Sequence, residues 1–231
     1  MNELIERLKG GIIVSCQAEG DDPFNADPEY MALFARAAEM GGAIGIRTQG
    51  IAKLEAIKRV TKLPVIGLLK SQFHDGTVRI TGSFSEVEQL IKSNSDLVAI
   101  DGTFREREGL SGPDFIKAVK ERYGCLVLAD IATYEEAKAC EEAGVDCIST
   151  TLNGYTPDTI QYHDGPNYEV LRECVHGLSV PVFAEGRYNT PVEAGKAMEL
   201  GAFAVISGTA ITRPRVITRW FVEEINKVIN K

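Results

Sequence analysis

Residues 126–152 read LVLADIATYEEAKACEEAGVDCISTTL, and this stretch holds the unit that the rest of the chain repeats. Leu126–Asp130 is a short apolar run that ends in an acid. Thr133 with Glu136 gives the capping-box spacing that starts a helix. Ala137, Cys140 and Ala143 follow at helical spacing, and Gly144 supplies the stop. Cys147–Leu152 is a second apolar run. The unit reads strand, helix, strand.

The same pattern extends outward to both ends. Apolar runs stand at Gly11–Gln17, Ala43–Arg47, Pro64–Lys70, Leu97–Asp101, Pro181–Gly186 and Ala202–Gly208. Each is nearly continuous in Ile, Val, Leu and Ala, as in parallel strands buried on both faces. Asp27-Pro28 opens a helix that ends at Gly41-Gly42, while Ser83 with Glu86 and Thr190 with Glu193 repeat the capping-box spacing. Eight strands, each followed by a helix, predict a single (β/α)8 TIM barrel, with residues 1–231 as one domain. A doubly wound open sheet is the weaker fit, because no GxGxxG follows the first run. Ser71–Gly82 and Asn153–Pro166 look like insertions after their strands, and Gly76 suits the turn of a small hairpin.

With 44% hydrophobic residues the chain has enough apolar side chain to fold. Its 33 acids against 25 bases leave a formal charge of −8, which argues against a nucleic-acid partner. The five cysteines form no CxxC, and three lie in apolar runs, where a thiol serves as a small hydrophobe. Neither a disulfide framework nor a zinc site is expected. Met1–Leu8 carries acids and lacks the apolar core of a signal peptide. The apolar runs are strand-sized, well short of the ~20 residues that cross a membrane. The expected localisation is cytoplasmic, with no membrane partner.

In a barrel, function collects at the C-terminal ends of the strands. The last polar residues of the runs are Gln17, Arg47, Lys70, Asp101, Asp130, Thr150 or Thr151, Glu185 and Ser207. Charged side chains are disfavoured in buried strands unless paired, so several converging on one axis point to a site. The last two strand ends run into Glu185-Gly186-Arg187 and Ser207-Gly208-Thr209. Glycine there lets the backbone approach a ligand, and a short helix from Thr209 with Arg213 at its end completes a phosphate cradle. That makes the expected barrel one of the phosphate-binding type.

Other candidates read as bland. His74, His163 and His176 have no metal-ligand spacing, and Ser15 and Ser149 have no activating His. Arg105-Glu106-Arg107-Glu108 reads as a solvated loop of alternating charge. Trp220, Phe221, Ile225 and Val228 share a helical face that fits core packing or a subunit contact.

The motifs Gly11-Ile-Ile-Val-Ser-Cys-Gln17, Ile46-Arg47, Gly67-Leu-Leu-Lys70, Ala99-Ile-Asp-Gly-Thr103, Leu128-Ala-Asp-Ile131, Ser149-Thr-Thr-Leu-Asn-Gly-Tyr155, Ala184-Glu-Gly186 and Gly208-Thr-Ala-Ile-Thr-Arg213 cover all eight strand ends. Together they resemble the N-acetylmannosamine-6-phosphate 2-epimerase family. The resemblance implies a barrel that interconverts N-acetylmannosamine 6-phosphate and N-acetylglucosamine 6-phosphate in sialic-acid catabolism, without metal or other cofactor. It implies that Lys70 and Glu185 are catalytic and that Gln17, Arg47, Asp130 and Arg213 contact substrate. The turns add Gly186, Arg187, Gly208 and Thr209 to the binding set.

The chemistry agrees with the residues. Inverting a carbon next to an aldehyde needs a base for the C2 proton and donors for the enolate oxygen. Lys70, expected beside Arg47 and partly buried, is the candidate base, and Arg47 suits the enolate oxygen. Glu185 moves a second proton, and Asp130 orients Lys70 or holds a sugar hydroxyl. A pentose-phosphate epimerase would share the cradle but would need His and Asp metal ligands on its strands. The expected partner is a small amino-sugar phosphate, and the apolar last helix predicts a homodimer.

Overall fold

The structure is a computed structural model that describes residues 2–18, 20–160 and 165–229. His163 and part of the Asn153–Pro166 insertion lie outside the described residues, as does Met1. In chain order the first elements are α1 (Glu3–Glu6), β1 (Ile12–Cys16), a 3-10 turn (Pro23–Asn25), α2 (Pro28–Met40), β2 (Gly45–Gln49), α3 (Ile51–Val60) and β3 (Val65–Leu68). Next come β4 (Lys70–Gln72), β5 (Val78–Ile80), α4 (Phe84–Lys92), β6 (Leu97–Asp101), α5 (Gly112–Tyr123), β7 (Val127–Asp130) and α6 (Tyr134–Glu142). The last are β8 (Cys147–Ser149), α7 (Tyr168–Gly177), β9 (Val182–Glu185), α8 (Pro191–Glu199), β10 (Ala204–Ser207), α9 (Thr209–Thr212) and α10 (Pro214–Ile229).

Eight strands close a parallel barrel in the ring order β1, β2, β3, β6, β7, β8, β9, β10. The continuous apolar runs are explained by alternation. Ile13, Ile66, Leu128, Phe183 and Ile206 fill the barrel interior. Val14, Ile46, Val65, Val127 and Val205 belong to the layer shared with the helices. A strand buried on both sides has no polar face to show. The expected (β/α)8 TIM barrel is the fold.

Local signals do what their chemistry requires. Both capping boxes form, Thr133 with Glu136 and Thr190 with Glu193. At Ser83 only half of one forms. Its hydroxyl accepts from Glu86 N at 3.3 Å, but the Glu86 carboxylate accepts from Gly82 N at 2.8 Å and Ser71 Oγ at 2.6 Å. That carboxylate ties α4 to the β4–β5 hairpin instead of closing its own cap.

The third apolar run behaves differently from its reading. Its barrel strand stops at Leu68, and Lys70 opens β4, where it pairs with Ile80 across an antiparallel hairpin. Gly76, at φ 78°, lies in the segment that joins the two short strands. The hairpin stands over the mouth of the barrel and carries Lys70 with it.

Arg105–Glu108 is only half a solvated loop: Glu106 and Glu108 are exposed, while the two arginines turn inward. Arg107 is buried, with Nη2 donating to Asp101 Oδ1 at 3.0 Å and to Thr103 O at 3.2 Å. Arg105 Nη2 donates to Asp101 Oδ2 at 2.6 Å. The reason is Asp101, a fully buried carboxylate at the end of β6 that needs counter-charge. Removing one member of such a pair typically costs about 3–5 kcal/mol, because it strands the other charge.

All five cysteines are free, and four of them are buried. Among the described residues no helix is long and apolar enough to cross a membrane. None of the residues of α10 is fully buried, and Phe221 and Val228 are 69% and 70% exposed.

Candidate active site

A cavity of about 830 Å³ opens at the C-terminal ends of the barrel strands. Gln17, Arg47, Lys70, Glu185, Gly186, Arg187, Gly208, Thr209 and Arg213 all line it. The volume lies within the ~300–1,000 Å³ range of small-molecule sites.

At its floor Arg47, on β2, is 1% exposed. Nη1 and Nη2 donate to Asp130 Oδ1 and Oδ2 at 2.8 and 2.6 Å, a two-pronged bond from β2 to β7. Nη1 also donates to Glu185 Oε2 on β9 at 2.8 Å. One cation thus serves two carboxylates. Burial opposes its charge, but the carboxylates outweigh burial and raise its pKa.

Glu185 accepts from Thr151 Oγ1 at 2.8 Å and from Ser149 Oγ at 3.2 Å. Burial nonetheless pushes its pKa up, Arg47 pulls the other way, and neighbouring Asp130 adds to the rise. A guanidinium already forked to Asp130 cannot fully neutralise a second carboxylate. Glu185 therefore holds its proton above the usual glutamate range.

Asp130 stands fully buried behind Arg47, and its Oδ1 lies 2.6 Å from Thr151 Oγ1, whose single proton serves either this carboxylate or Glu185. Its carboxylate is engaged by Arg47 and Thr151, and it does not line the cavity. Lys70 is exposed, against the expected partial burial, because the hairpin carries it beyond the barrel strand. Gln17 Nε2 donates to Ser15 Oγ at 2.8 Å.

The two Gly turns have the expected form. Gly186, at φ 107°, takes a backbone conformation that favours glycine. A Cβ on Gly208 would stand 3.0 Å from Ser15 Cβ, tighter than ordinary contact, so the close approach of the chain after β10 to β1 favours glycine. No side chain caps the first turn of α9, which opens at Thr209. Arg187 is engaged elsewhere. Its Nε donates to Gly165 O at 2.9 Å, its Nη2 to Asn153 O at 3.1 Å, and it lies 4.9 Å over the Tyr155 ring.

The sequence placed Thr150 or Thr151 at a strand end and set Ser149 aside for want of an activating His, but assigned neither the contact to the Glu185 carboxylate that both Ser149 and Thr151 make. The available signal was spacing, two polar residues one strand repeat apart after Cys147. Arg105, Val78 and Tyr155 also line the cavity. Among the described residues no group of three or more His, Cys, Asp or Glu could hold a metal ion. The wall carries Arg47, Lys70, Arg105, Arg187 and Arg213 against Glu185, which suits an anionic ligand.

The raised pKa of Glu185 has a measurable consequence. The folded chain binds that proton more tightly than the unfolded chain, so its contribution is complete below the ordinary glutamate range. It is lost as pH rises toward the folded-state pKa. Urea unfolding of wild type and Glu185→Gln, measured from about pH 4 to pH 8, should shift steadily in favour of the variant as pH rises. A difference that does not change with pH would contradict the environment described for Glu185.

The geometry is a basic cavity with a lysine and a carboxyl of raised pKa facing it, and comparisons with other proteins agree on what it resembles. The family model described as N-acetylmannosamine-6-phosphate epimerase matches residues 31–227. A protein of Caldanaerobacter subterraneus subsp. tengcongensis, assigned by name as an N-acetylmannosamine-6-phosphate 2-epimerase, is 46% identical over 227 residues, covering 97% of this chain and 95% of its own. One of the same assigned name from Clostridioides difficile is 44% identical over 223 residues, covering 96% and 99%. The solved structure of the N-acetylmannosamine-6-phosphate 2-epimerase from Clostridium perfringens matches with a TM-score of 0.90 at 41% identity, over 96% of each chain. A thiamine phosphate pyrophosphorylase from Pyrococcus furiosus, with a TM-score of 0.62 and 18% identity, shares the barrel alone. On sequence and fold together, the chain belongs to the N-acetylmannosamine-6-phosphate 2-epimerase family, a family of isomerases.

Proposed function

We propose that the chain interconverts N-acetylmannosamine 6-phosphate and N-acetylglucosamine 6-phosphate by removing and returning the proton on C2. The observation that carries this reading is that Lys70 and Glu185 line one cavity from opposite sides. Lys70 follows β3, Glu185 ends β9, and these strands stand across the ring from each other.

The steps follow from that geometry. In the open-chain sugar the C1 aldehyde acidifies the C2 proton. The Lys70 amine takes the proton, and the electron pair of the C–H bond moves into an enolate on the C1 oxygen. The Arg47 cation at the cavity floor favours that negative charge. Glu185, whose burial beside Asp130 favours the protonated form, gives a proton to the opposite face of C2. Exchange with solvent restores Lys70 and Glu185. Gly186, Gly208 and Thr209 offer backbone N–H groups to the phosphate, and Arg213 closes on it. Gln17 and Arg187 shape the remaining wall, and Asp130 acts through Arg47. The reading treats residues 1–231 as one domain working in the cytoplasm, in sialic-acid and amino-sugar catabolism, a context that family membership supports.

Proton NMR with either sugar phosphate is expected to approach one mixture of epimers from both directions. Lys70→Met keeps the length of the side chain, and it should abolish turnover while leaving the circular dichroism unchanged. Arg213→Ala should raise KM by about tenfold or more, as loss of one charge-assisted contact does. Full activity in Lys70→Met would overturn the assignment of the base.

The same reading pairs two copies through α10. Trp220, Phe221, Ile225 and Val228 lie exposed on that helix, and Leu33, Met40 and Val192 are exposed on α2 and α8, which flank the seam between β10 and β1. Apolar surface of this extent is costly to leave in water. Light scattering should give twice the 25.2 kDa chain mass, and Phe221→Glu with Ile225→Glu should give the single mass. A wild-type monomer at micromolar concentration would rule the pairing out.

A further inference from the structure

One wall of the cavity has a chemistry that the proton transfers do not use. The β4–β5 hairpin and the segment after β6 form the side across from the two Gly turns, since β3 and β6 oppose β9 and β10 in the ring. Val78 on the hairpin lines the cavity with Leu68 and Ile80, and it is 43% exposed. Arg105 lines the same wall. Its guanidinium is fixed at two points, Nη2 on Asp101 Oδ2 at 2.6 Å and Nε on Thr103 Oγ1 at 2.9 Å. Nη1 makes longer contacts, 3.4 Å to Val78 O and 3.5 Å to Thr77 Oγ1. Asp101 is shared with Arg107, so two guanidiniums meet one buried carboxylate and the wall keeps surplus positive charge.

We propose that this wall recognises the acetamido group of the sugar, with Arg105 Nη1 donating to the acyl oxygen and Val78 covering the methyl. The inference rests on the reaction proposed above. C2 carries both the proton that Lys70 removes and the acetamido nitrogen, and Lys70 belongs to the same hairpin as Val78. With the C6 phosphate held at the turns after β9 and β10, the C2 end of the open chain reaches across to this hairpin. A free amine at C2 is a cation at neutral pH. It would meet the surplus charge of the wall and leave Nη1 without its acceptor. A longer acyl chain would press on Val78.

The test compares N-acetylmannosamine 6-phosphate, its N-propionyl analogue and unacylated mannosamine 6-phosphate by kcat/KM with the full chain. Wild type should favour the acetyl over the unacylated sugar by about 100-fold or more, the scale of a lost buried hydrogen bond with charge repulsion added. Arg105→Met should cut kcat/KM for the acetyl sugar by about tenfold or more and narrow that ratio. Val78→Ala should raise the propionyl sugar relative to the acetyl one by about tenfold, the value of one methylene in a fitted pocket. Because Val78 is half exposed, its variant tests the wall even where Arg105→Met fails to fold. Unchanged ratios in an active Val78→Ala protein, with Arg105→Met lowering all three sugars equally or not folding, would overturn the inference and leave the activity standing. Wild type inert toward all three would instead remove the proposed reaction, and this inference with it.

Discussion

The Arg47 guanidinium sits at the closed end of the cavity with almost no water around it, forked onto Asp130 and touching Glu185. These residues come from β2, β7 and β9, so the contact exists only when the barrel is closed. Burying one cation beside two carboxylates is expensive, and replacing such a cluster with hydrophobes is often neutral for stability. In the proposed reaction its use is chemical. Asp130 takes most of the guanidinium's charge, Glu185 is left under-compensated, and a carboxyl that binds its proton more tightly than usual faces the cavity. Ser149 and Thr151 fix its direction.

The same arrangement lets an acidic chain present a basic cavity to the anionic substrate proposed for it. The molecule carries −8, yet the cavity wall holds five cations against one largely buried acid, Glu185. Acids such as Asp101 and Asp130 lie fully buried, already committed to arginines, so little of their charge reaches a ligand. A concave basic wall inside an otherwise negative surface focuses the field on its opening. Placing the strong cations on opposite sides of the ring gives an extended ligand two ends to hold.

Most of the fold could be read from the residues because parallel strands covered on both faces leave continuous apolar runs, and capping chemistry marks where helices begin. Thr133 and Thr190 are the clearest cases. What escaped were pairings between distant residues. Arg105 and Arg107 look solvated in a run of alternating charge. Only Asp101, buried at the end of β6, explains why they turn inward. Lys70 looked like the last residue of a barrel strand. The glycine-turned hairpin after it was visible as an insertion, but not where its first strand began. Of the site, the charged strand ends were legible: Arg47, Lys70 and Glu185 line one cavity, while Asp101 and Asp130 lie buried against arginines. The roles of Ser149 and Thr151 were not, because short hydroxyl side chains near a strand end resemble ordinary turn residues. For α10 the apolar face was evident, but its spacing alone carries no partner.

The central claim is that a proton leaves C2 and a proton returns there, between Lys70 and Glu185. Running the reaction in D2O and following C2 by proton NMR tests it most directly. Enolate formation predicts that product gains deuterium at C2 as epimerisation proceeds, because the returning proton comes from a group in exchange with solvent. Product that keeps its C2 proton through many turnovers, while inversion continues, would contradict the claim.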